Sequence, residues 1–140
     1  MLLNAALPEL ASALIGRWHV RRVVRDFAGS AGCVFSGEAL LTDSGFSEEG
    51  EMRVGDRALP ASRAYRLERQ DGCVLVFRGA ELFIRLGGAP SQIVHHQCGD
   101  DLYIGRFIFR SDEWVEAWRV KGPRKNYASV SRFRRIILRT

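Results

Sequence analysis

The chain has 140 residues, a length typical of one domain, and its 46% hydrophobic and 26% charged residues are those of a soluble globular protein. No apolar run approaches the roughly 18 residues that a membrane-spanning helix needs. The formal net charge of +5 comes from 21 lysines and arginines against 16 acidic residues, but these cations alternate with apolar residues, which disfavours nucleic-acid binding.

The three cysteines, Cys33, Cys73 and Cys98, are odd in number and form no C-x-x-C pair, so neither a disulfide framework nor a structural zinc site is expected. The first residues lack a basic leader and are interrupted by Pro8 and Glu9, so we expect no signal peptide and a cytoplasmic location.

One short helix is predicted over about 7–15, where Pro8 fits the first turn and Gly16 ends the helix. From 16 to about 139 the hydrophobic period changes to two, and nine turn signals delimit ten strands. The turns fall at Gly29-Ser30, Asp43-Ser44-Gly45, Gly55-Asp56, Asp71-Gly72, Gly79-Ala80, Gly87-Gly88, Gly99-Asp100, Ser111-Asp112 and Gly122-Pro123. The pattern predicts one all-β domain over 1–140, a closed antiparallel up-and-down barrel of about ten strands with a short N-terminal helix.

Successive side chains of a strand point to opposite faces, so one face of each run should line the barrel interior. In the first strand Trp18, Val20 and Val24 share the apolar side, which also places Arg22 inside. The same parity assigns to the interior Phe35, Gly37, Ala39, Leu41, Phe46, Glu48, Gly50, Met52, Arg63, Tyr65, Leu67, His96, Cys98, Tyr103, Phe107, Phe109, Trp114, Glu116, Trp118, Val120, Tyr127, Ser129, Ser131, Phe133 and Arg135.

The short helix, Gly16-x-Trp18 and a basic residue on the last strand resemble the calycin superfamily, which includes lipocalins and fatty-acid-binding proteins. The resemblance implies that an arginine packs across the tryptophan and seals one end of the barrel. By parity Arg135 is the candidate for this partner, and Arg22 is the alternative. Gly16, Trp18 and Arg135 are therefore expected to be structural.

Longer patterns resemble an uncharacterised family of small bacterial and fungal domains, over nearly the whole chain from Leu14. These patterns are Gly16-x-Trp18, Phe46-x-Glu48-x-Gly50, His96-x-Cys98-x-x-Asp101-x-Tyr103 and Trp118-x-Val120-x-Gly122-Pro123-Arg124-Lys125-x-Tyr127. This resemblance supports the barrel and implies no activity. The missing leader and disulfide pair depart from secreted lipocalins.

Five ionisable residues are predicted inside the barrel: Arg22, Glu48, Arg63, His96 and Glu116. They form either a structural ion-pair network or a polar floor for an anionic head group, because buried charges must be paired or used. The favoured function is binding of a small amphipathic or aromatic, anionic ligand, with its anion directed at Arg22 and Arg63. The expected ligand-binding residues are Arg22, Glu48, Arg63, Tyr65, His96, Tyr103, Phe107, Glu116, Trp118 and Tyr127.

Two other function classes stay open. A lumen isomerase or hydrolase would use His96 with Glu48 or Glu116 as acid and base. An interaction module for protein or nucleic acid would use outer arginines, which are densest at Arg132, Arg134, Arg135 and Arg139. The loop 122–126 is a further candidate for an anion at the rim, or a simple turn.

His96, Cys98 and Asp101 lie within six positions, and residues two apart on one strand face are roughly 6.6 Å apart, close enough to share a metal. No second group of ligands completes a four-coordinate site. The favoured interpretation is therefore that His96 is hydrogen-bonded, that Cys98 is a small buried thiol, and that Asp101 caps the turn. We therefore expect no metal and no cofactor. Haem bound through His96, the only inward histidine by parity, is the alternative.

Overall fold

The computed structural model describes residues 7–29 and 32–137, with side chains from residue 11 onward. Within these ranges the chain forms one short helix followed by ten strands. The elements are α1 (Leu7–Leu14), β1 (Gly16–Asp26), β2 (Cys33–Leu41), β3 (Gly45–Val54), β4 (Arg57–Gln70), β5 (Cys73–Arg78), β6 (Glu81–Leu86), β7 (Ser91–Cys98), β8 (Asp101–Phe109), β9 (Glu113–Lys121) and β10 (Asn126–Arg135).

All ten strands belong to one antiparallel sheet with the order β6-β5-β4-β3-β2-β1-β10-β9-β8-β7. β1 pairs with β10, which curls the sheet into a barrel. β6 and β7 are the two ends of this order, and no backbone ladder joins them within the described residues. The predicted all-β barrel is therefore confirmed, and it is nearly closed, with one seam between β6 and β7.

The seam is bridged at one end by the side chain of Gln92, the second residue of β7. Its Oε1 accepts a hydrogen bond from the Gly87 nitrogen at 2.7 Å, and its Nε2 donates to the Gly87 oxygen at 2.9 Å and the Ala89 oxygen at 2.7 Å. A primary amide offers the same donor and acceptor as a peptide group. Gln92 therefore replaces a ladder rung that the two backbones do not make.

The observed boundaries follow the predicted ones closely. α1 ends one residue before the predicted limit because Gly16, with φ of 141°, turns the chain into β1 in a conformation that suits glycine. Asp71 and Gly72 both have positive φ, 50° and 76°, as the predicted two-residue hairpin requires. The last strand ends at Arg135, before the predicted limit near 139.

Three predictions fall partly or wholly outside the described residues. They are the expected absence of a leader at 1–6, the part of the first turn at Ser30, and the part of the last strand beyond 137. Within the described ranges, α1 is too short to cross a bilayer, and no other helix could do so.

The buried apolar side chains form two clusters. The cluster at the end closed by α1, here called the helix end, contains Leu14, Trp18, Val20, Phe35, Ala39, Phe46, Trp114 and Phe133. The second cluster contains Val74, Val76, Phe83, Ile84, Val94, Tyr103, Phe107 and Val120. The prediction that Cys98 is buried in the interior is wrong. Cys98 is exposed, because it is the last residue of β7 at the opposite, far end of the barrel.

The helix end is sealed around Trp18, whose indole nitrogen donates to the Leu14 oxygen at 3.0 Å. The guanidinium of Arg135 lies 4.3 Å from the Trp18 ring centre and also donates to the carbonyl oxygen of Ile15 at 3.2 Å, beyond the end of α1. Arg135 thus makes the contact that the calycin resemblance implied. Arg22, the alternative partner, lies deeper in the barrel and pairs with Glu48 instead.

Candidate ligand-binding lumen

A network of charges crosses the middle of the lumen. Arg22 of β1 makes a bidentate pair with Glu48 of β3, with nitrogen–oxygen distances of 2.6 and 3.0 Å, and its Nε donates to Ser131 Oγ at 2.7 Å. Arg63 of β4 faces the same carboxylate across the β3–β4 ladder, with its Nε 2.7 Å from Glu48 Oε1. The Glu48 side chain is only 1% exposed. The arrangement corresponds to the ion-pair alternative, although His96 takes no part in it in the described structure.

Arg63 is incompletely satisfied within that network. Its Nε and Nη2 are buried but have no well-aligned acceptor, because Glu48 directs its oxygens at Arg22 and Glu116 Oε1 is 3.5 Å from Nη2. Burial disfavours its charged form, but Glu116, Tyr65 and Glu48 outweigh that effect and raise the pKa of Arg63. Arg63 is therefore firmly charged, and its buried nitrogens face Glu48 and Glu116 without well-aligned hydrogen bonds.

Glu116 of β9 orients two indoles on its own strand. Its carboxylate accepts from Trp118 Nε1 at 3.1 Å and from Trp114 Nε1 at 3.4 Å. Gly105 lies opposite Trp118 on β8, and a Cβ there would come within 2.7 Å of the indole. The missing side chain at Gly105 therefore makes room for Trp118 against the barrel wall.

Phe83 of β6 completes an aromatic layer across the lumen. Its ring stacks on Trp118 at 5.4 Å and on Tyr65 at 6.0 Å between ring centres. The β5–β6 register shifts at this point, where Val76 faces Ile84 and Phe77 faces Leu82, so Phe83 is an extra residue turned inward. Strict alternation assigns Phe83 and Ile84 to opposite faces, whereas both are buried.

Two cavities flank this layer, and both are lined by Arg63, Tyr65, Phe83 and Trp118. The cavity toward the helix end has a volume of about 110 Å³ and mostly apolar walls. The cavity toward the far end, here called the far cavity, has a volume of about 220 Å³. Its polar lining consists of Arg22, Arg63, Arg78, Tyr65, Tyr103, Tyr127 and Ser129, and within the described residues it includes no carboxylate.

Arg78, the last residue of β5, forms the outer wall of the far cavity. Its guanidinium lies 4.3 Å from the Phe83 ring centre and 5.7 Å from that of Tyr103. No acidic side chain in the described part of the chain forms an ion pair with it. Arg78 therefore brings an uncompensated positive charge to the cavity.

The predicted rim loop also contributes to the far end. Lys125 Nζ donates to the Tyr103 hydroxyl at 2.9 Å and lies 3.3 Å from Asp101 Oδ2. These partners raise the pKa of Lys125, and the hydrogen bond with Tyr103 has the largest effect. Burial raises the pKa of the Tyr127 hydroxyl, which keeps it neutral at the cavity wall. Lys125 is thus engaged by protein groups, whereas Arg78 makes no ion pair in the described part of the chain.

Most of the residues predicted to bind a ligand do face the lumen. Arg22, Arg63, Tyr65, Tyr103, Trp118 and Tyr127 line the far cavity, and Phe107 and Glu116 line the one toward the helix end. Glu48 and His96 line neither in the described structure: Glu48 lies behind the two arginines, and His96 lies behind Phe83. Among the residues that line the far cavity, Arg78 and Phe83 are the two that sequence reasoning missed.

His96 is not next to either carboxylate that the enzyme hypothesis requires. Its Nε2 lies 3.6 Å from Glu81 Oε1 across the seam, and within the described residues it has no hydrogen bond or ion pair with Glu48 or Glu116. Asp101, which the sequence analysis considered as a metal ligand beside His96 and Cys98, pairs with Lys125 instead.

The C-terminal arginines do not form one cationic face. Arg132 and Arg134 are exposed on β10 and lie 3.7 and 3.8 Å from Glu113, whereas Arg135 points inward onto Trp18. Arg139 lies outside the described residues. Glu113 thus offsets part of the charge that the interaction hypothesis relies on.

Two solved structures are similar to this barrel. The S-type phycobiliprotein lyase CPES from Guillardia theta aligns with a TM-score of 0.67 and 13% sequence identity, over 96% of this chain and 94% of the other. A protein of unknown function of the DUF3598 family from Nostoc punctiforme aligns with a TM-score of 0.59 and 13% identity, over 90% of this chain and 49% of the other. Both are consistent with a calycin-like barrel, and at this identity the likeness concerns the fold alone.

No curated protein matches the sequence. Residues 14–135 match the model of DUF6314, a family of unknown function, and the chain belongs to that family.

Proposed function

We propose that this barrel binds a small amphipathic or aromatic molecule with an anionic group, and that the anion sits in the far cavity. One observation carries the proposal: three guanidinium groups, three phenols and a serine line a cavity of about 220 Å³ that has no carboxylate in its described lining. Unfilled space lined by convergent donors is typical of a ligand site.

The charge balance of the lumen favours an anion over a cation. Glu48 and Glu116 offset two of the arginines, Arg22 and Arg63, so Arg78 gives the site a net positive charge. Guanidinium groups bind carboxylates and other oxyanions with charge-assisted hydrogen bonds. Arg78 can offer such a bond from the far end of the cavity, and Arg63 and Arg22 lie against its inner wall.

The body of the ligand would extend past the aromatic layer. Phe83, Trp118 and Tyr65 border both cavities, and the helix-side cavity beyond them is mostly apolar. An aromatic or aliphatic group in this position would bury its surface against these rings. The fold likeness to a phycobiliprotein lyase is compatible with small-ligand binding and does not identify a ligand.

A pair of fluorescent probes tests the role of the charge. 8-Anilinonaphthalene-1-sulfonate and N-phenyl-1-naphthylamine share an aromatic body, and only the first has an anionic group. We expect Arg78→Gln to weaken sulfonate binding about 10-fold, a loss of about 1.4 kcal/mol, and to leave the neutral probe unchanged.

Arg66→Gln is the matched control, because Arg66 packs 4.2 Å from the Phe77 ring centre and is exposed on the outer face. The two arginines thus make similar contacts on opposite sides of the wall. Equal affinity of both variants for the sulfonate, or equal binding of both probes by the native protein, would overturn the proposal.

A further inference from the structure

Three side chains with different metal-binding atoms converge where the barrel seam is open. Glu81 is the first residue of β6, and His96 and Cys98 end β7 on the other side. One carboxylate oxygen, one imidazole nitrogen and the thiol sulfur all lie within 4.8 Å of one another. None of the three lines the far cavity in the described structure, so this cluster is separate from the anion site.

The spacing of the first two groups does not fit a hydrogen bond. His96 Nε2 and Glu81 Oε1 are 3.6 Å apart. The nitrogen is buried without a hydrogen-bond partner in the described structure, and the imidazole as a whole is 11% exposed. Two ligands of one tetrahedral zinc, each about 2.0–2.1 Å from the ion, are separated by about 3.4 Å. The observed distance is therefore close to that expected for a shared metal.

Neighbouring cations do not compete for the Glu81 carboxylate. Arg78 is its partner in the β5–β6 register, but the Arg78 guanidinium lies over the Phe83 ring and makes no ion pair with Glu81 in the described structure. Lys125 is taken by Asp101 and Tyr103. Glu81 therefore keeps its charge for His96 and Cys98.

We propose that Glu81, His96 and Cys98 bind a divalent transition metal ion of the zinc type and that the ion ties β6 to β7. A mixed nitrogen, sulfur and oxygen donor set suits zinc and its neighbours and does not suit magnesium or calcium. Binding converts the Cys98 thiol to a thiolate and releases its proton to solvent. The fourth position of the ion is left for water or another small ligand.

The metal would close the seam at the far end as Gln92 closes it at the helix end. Gln92 joins the β6–β7 loop to β7 through three hydrogen bonds, and no backbone ladder follows it along the seam within the described ranges. A bond between Glu81 and the end of β7 would restrain the part of the seam farthest from Gln92. Binding should therefore stabilise the folded barrel.

A cobalt titration of the full chain, purified in a chelator and then freed of it, tests the site. We expect one Co²⁺ per chain, with a thiolate-to-cobalt absorption band in the near ultraviolet that added Zn²⁺ removes. Cys98→Ser should abolish the band, and His96→Gln and Glu81→Gln should weaken Co²⁺ binding at least 10-fold. Cys33→Ser and His95→Gln are the matched controls, because neither residue belongs to the cluster, and should bind as the native chain does.

Glu81→Gln separates the seam site from simple binding to β7. Glu81 is 64% exposed, so this variant should fold and keep its metal-free midpoint of thermal unfolding. Zn²⁺ should raise that midpoint by several degrees in the native chain and by much less in the variant. The proposal is overturned if Glu81→Gln binds Co²⁺ as tightly as the native chain, if the thiolate band is absent, or if the controls lose binding equally.

Discussion

The two ends of the barrel bury their side chains in opposite ways. At the helix end, Trp18 and Phe133 are fully buried in a stack of aromatic rings, and Arg135 covers the stack from outside. Toward the far end, Arg22 and Glu48 are themselves inside, and about 220 Å³ of space remains unfilled beside them. The helix end is thus closed by packed aromatic rings, whereas the charged half holds ionised groups beside unfilled space.

Replacing one tryptophan from each half should include the largest single loss of stability. Trp18→Ala removes a fully buried indole and should lower the free energy of unfolding by about 4 kcal/mol. Trp118→Ala should cost about 2 kcal/mol, because this indole is only partly buried and already borders two cavities. Urea denaturation measures both values, and equal losses would contradict the division into two halves.

Removing the acid at the centre of the charged half should cost somewhat less. Glu48→Gln leaves Arg22 and Arg63 facing each other without their shared counterion, and we expect a loss of about 3 kcal/mol in urea denaturation. Glu49→Gln, at the exposed neighbour on the same strand, is the control and should change stability by less than about 0.5 kcal/mol. A Glu48→Gln loss as small as this control's would mean that the network does not hold the barrel together.

The smallest expected effect concerns the far end at high pH. Burial raises the pKa of Tyr127 above its ordinary value of 10.0, so the folded state holds this proton more tightly than the unfolded state. Its stabilising contribution is complete below pH 10 and is lost as the pH rises through the folded-state pKa. Tyr127→Phe should therefore lose less stability than the native chain between pH 9 and 11. Parallel curves in urea denaturation would show that Tyr127 does not contribute.

Much of the fold could be predicted because the outer and inner residues of most strands differ in polarity. In β1 the alternation of arginines with Trp18 and Val20 identified the inner face, and it placed Arg22 inside with them. Asp71-Gly72 identified a hairpin because its backbone angles are costly for most other residues. The Arg135–Trp18 contact followed from resemblance together with the same parity.

The missed residues lie where the alternation of apolar and polar side chains does not identify the inner face of a strand. β5 is apolar on both faces, so alternation could not show that Arg78 bounds a cavity. Phe83 turns inward through a bulge, which alternation cannot foresee. Glu81 and His96 are far apart in sequence and meet only because the barrel brings its two edge strands together.

The seam is also the interface at which the barrel can change its width. Nine strand interfaces are tied by backbone ladders within the described residues, and each would lose hydrogen bonds if it widened. The tenth is held by side chains, with Gln92 as the tie at the helix end. Because Phe83 belongs to β6, parting β6 from β7 would move one wall of the far cavity outward and leave every ladder intact. In the described structure, a barrel with nine hydrogen-bonded strand interfaces and one held by side chains can therefore change its width at that one interface.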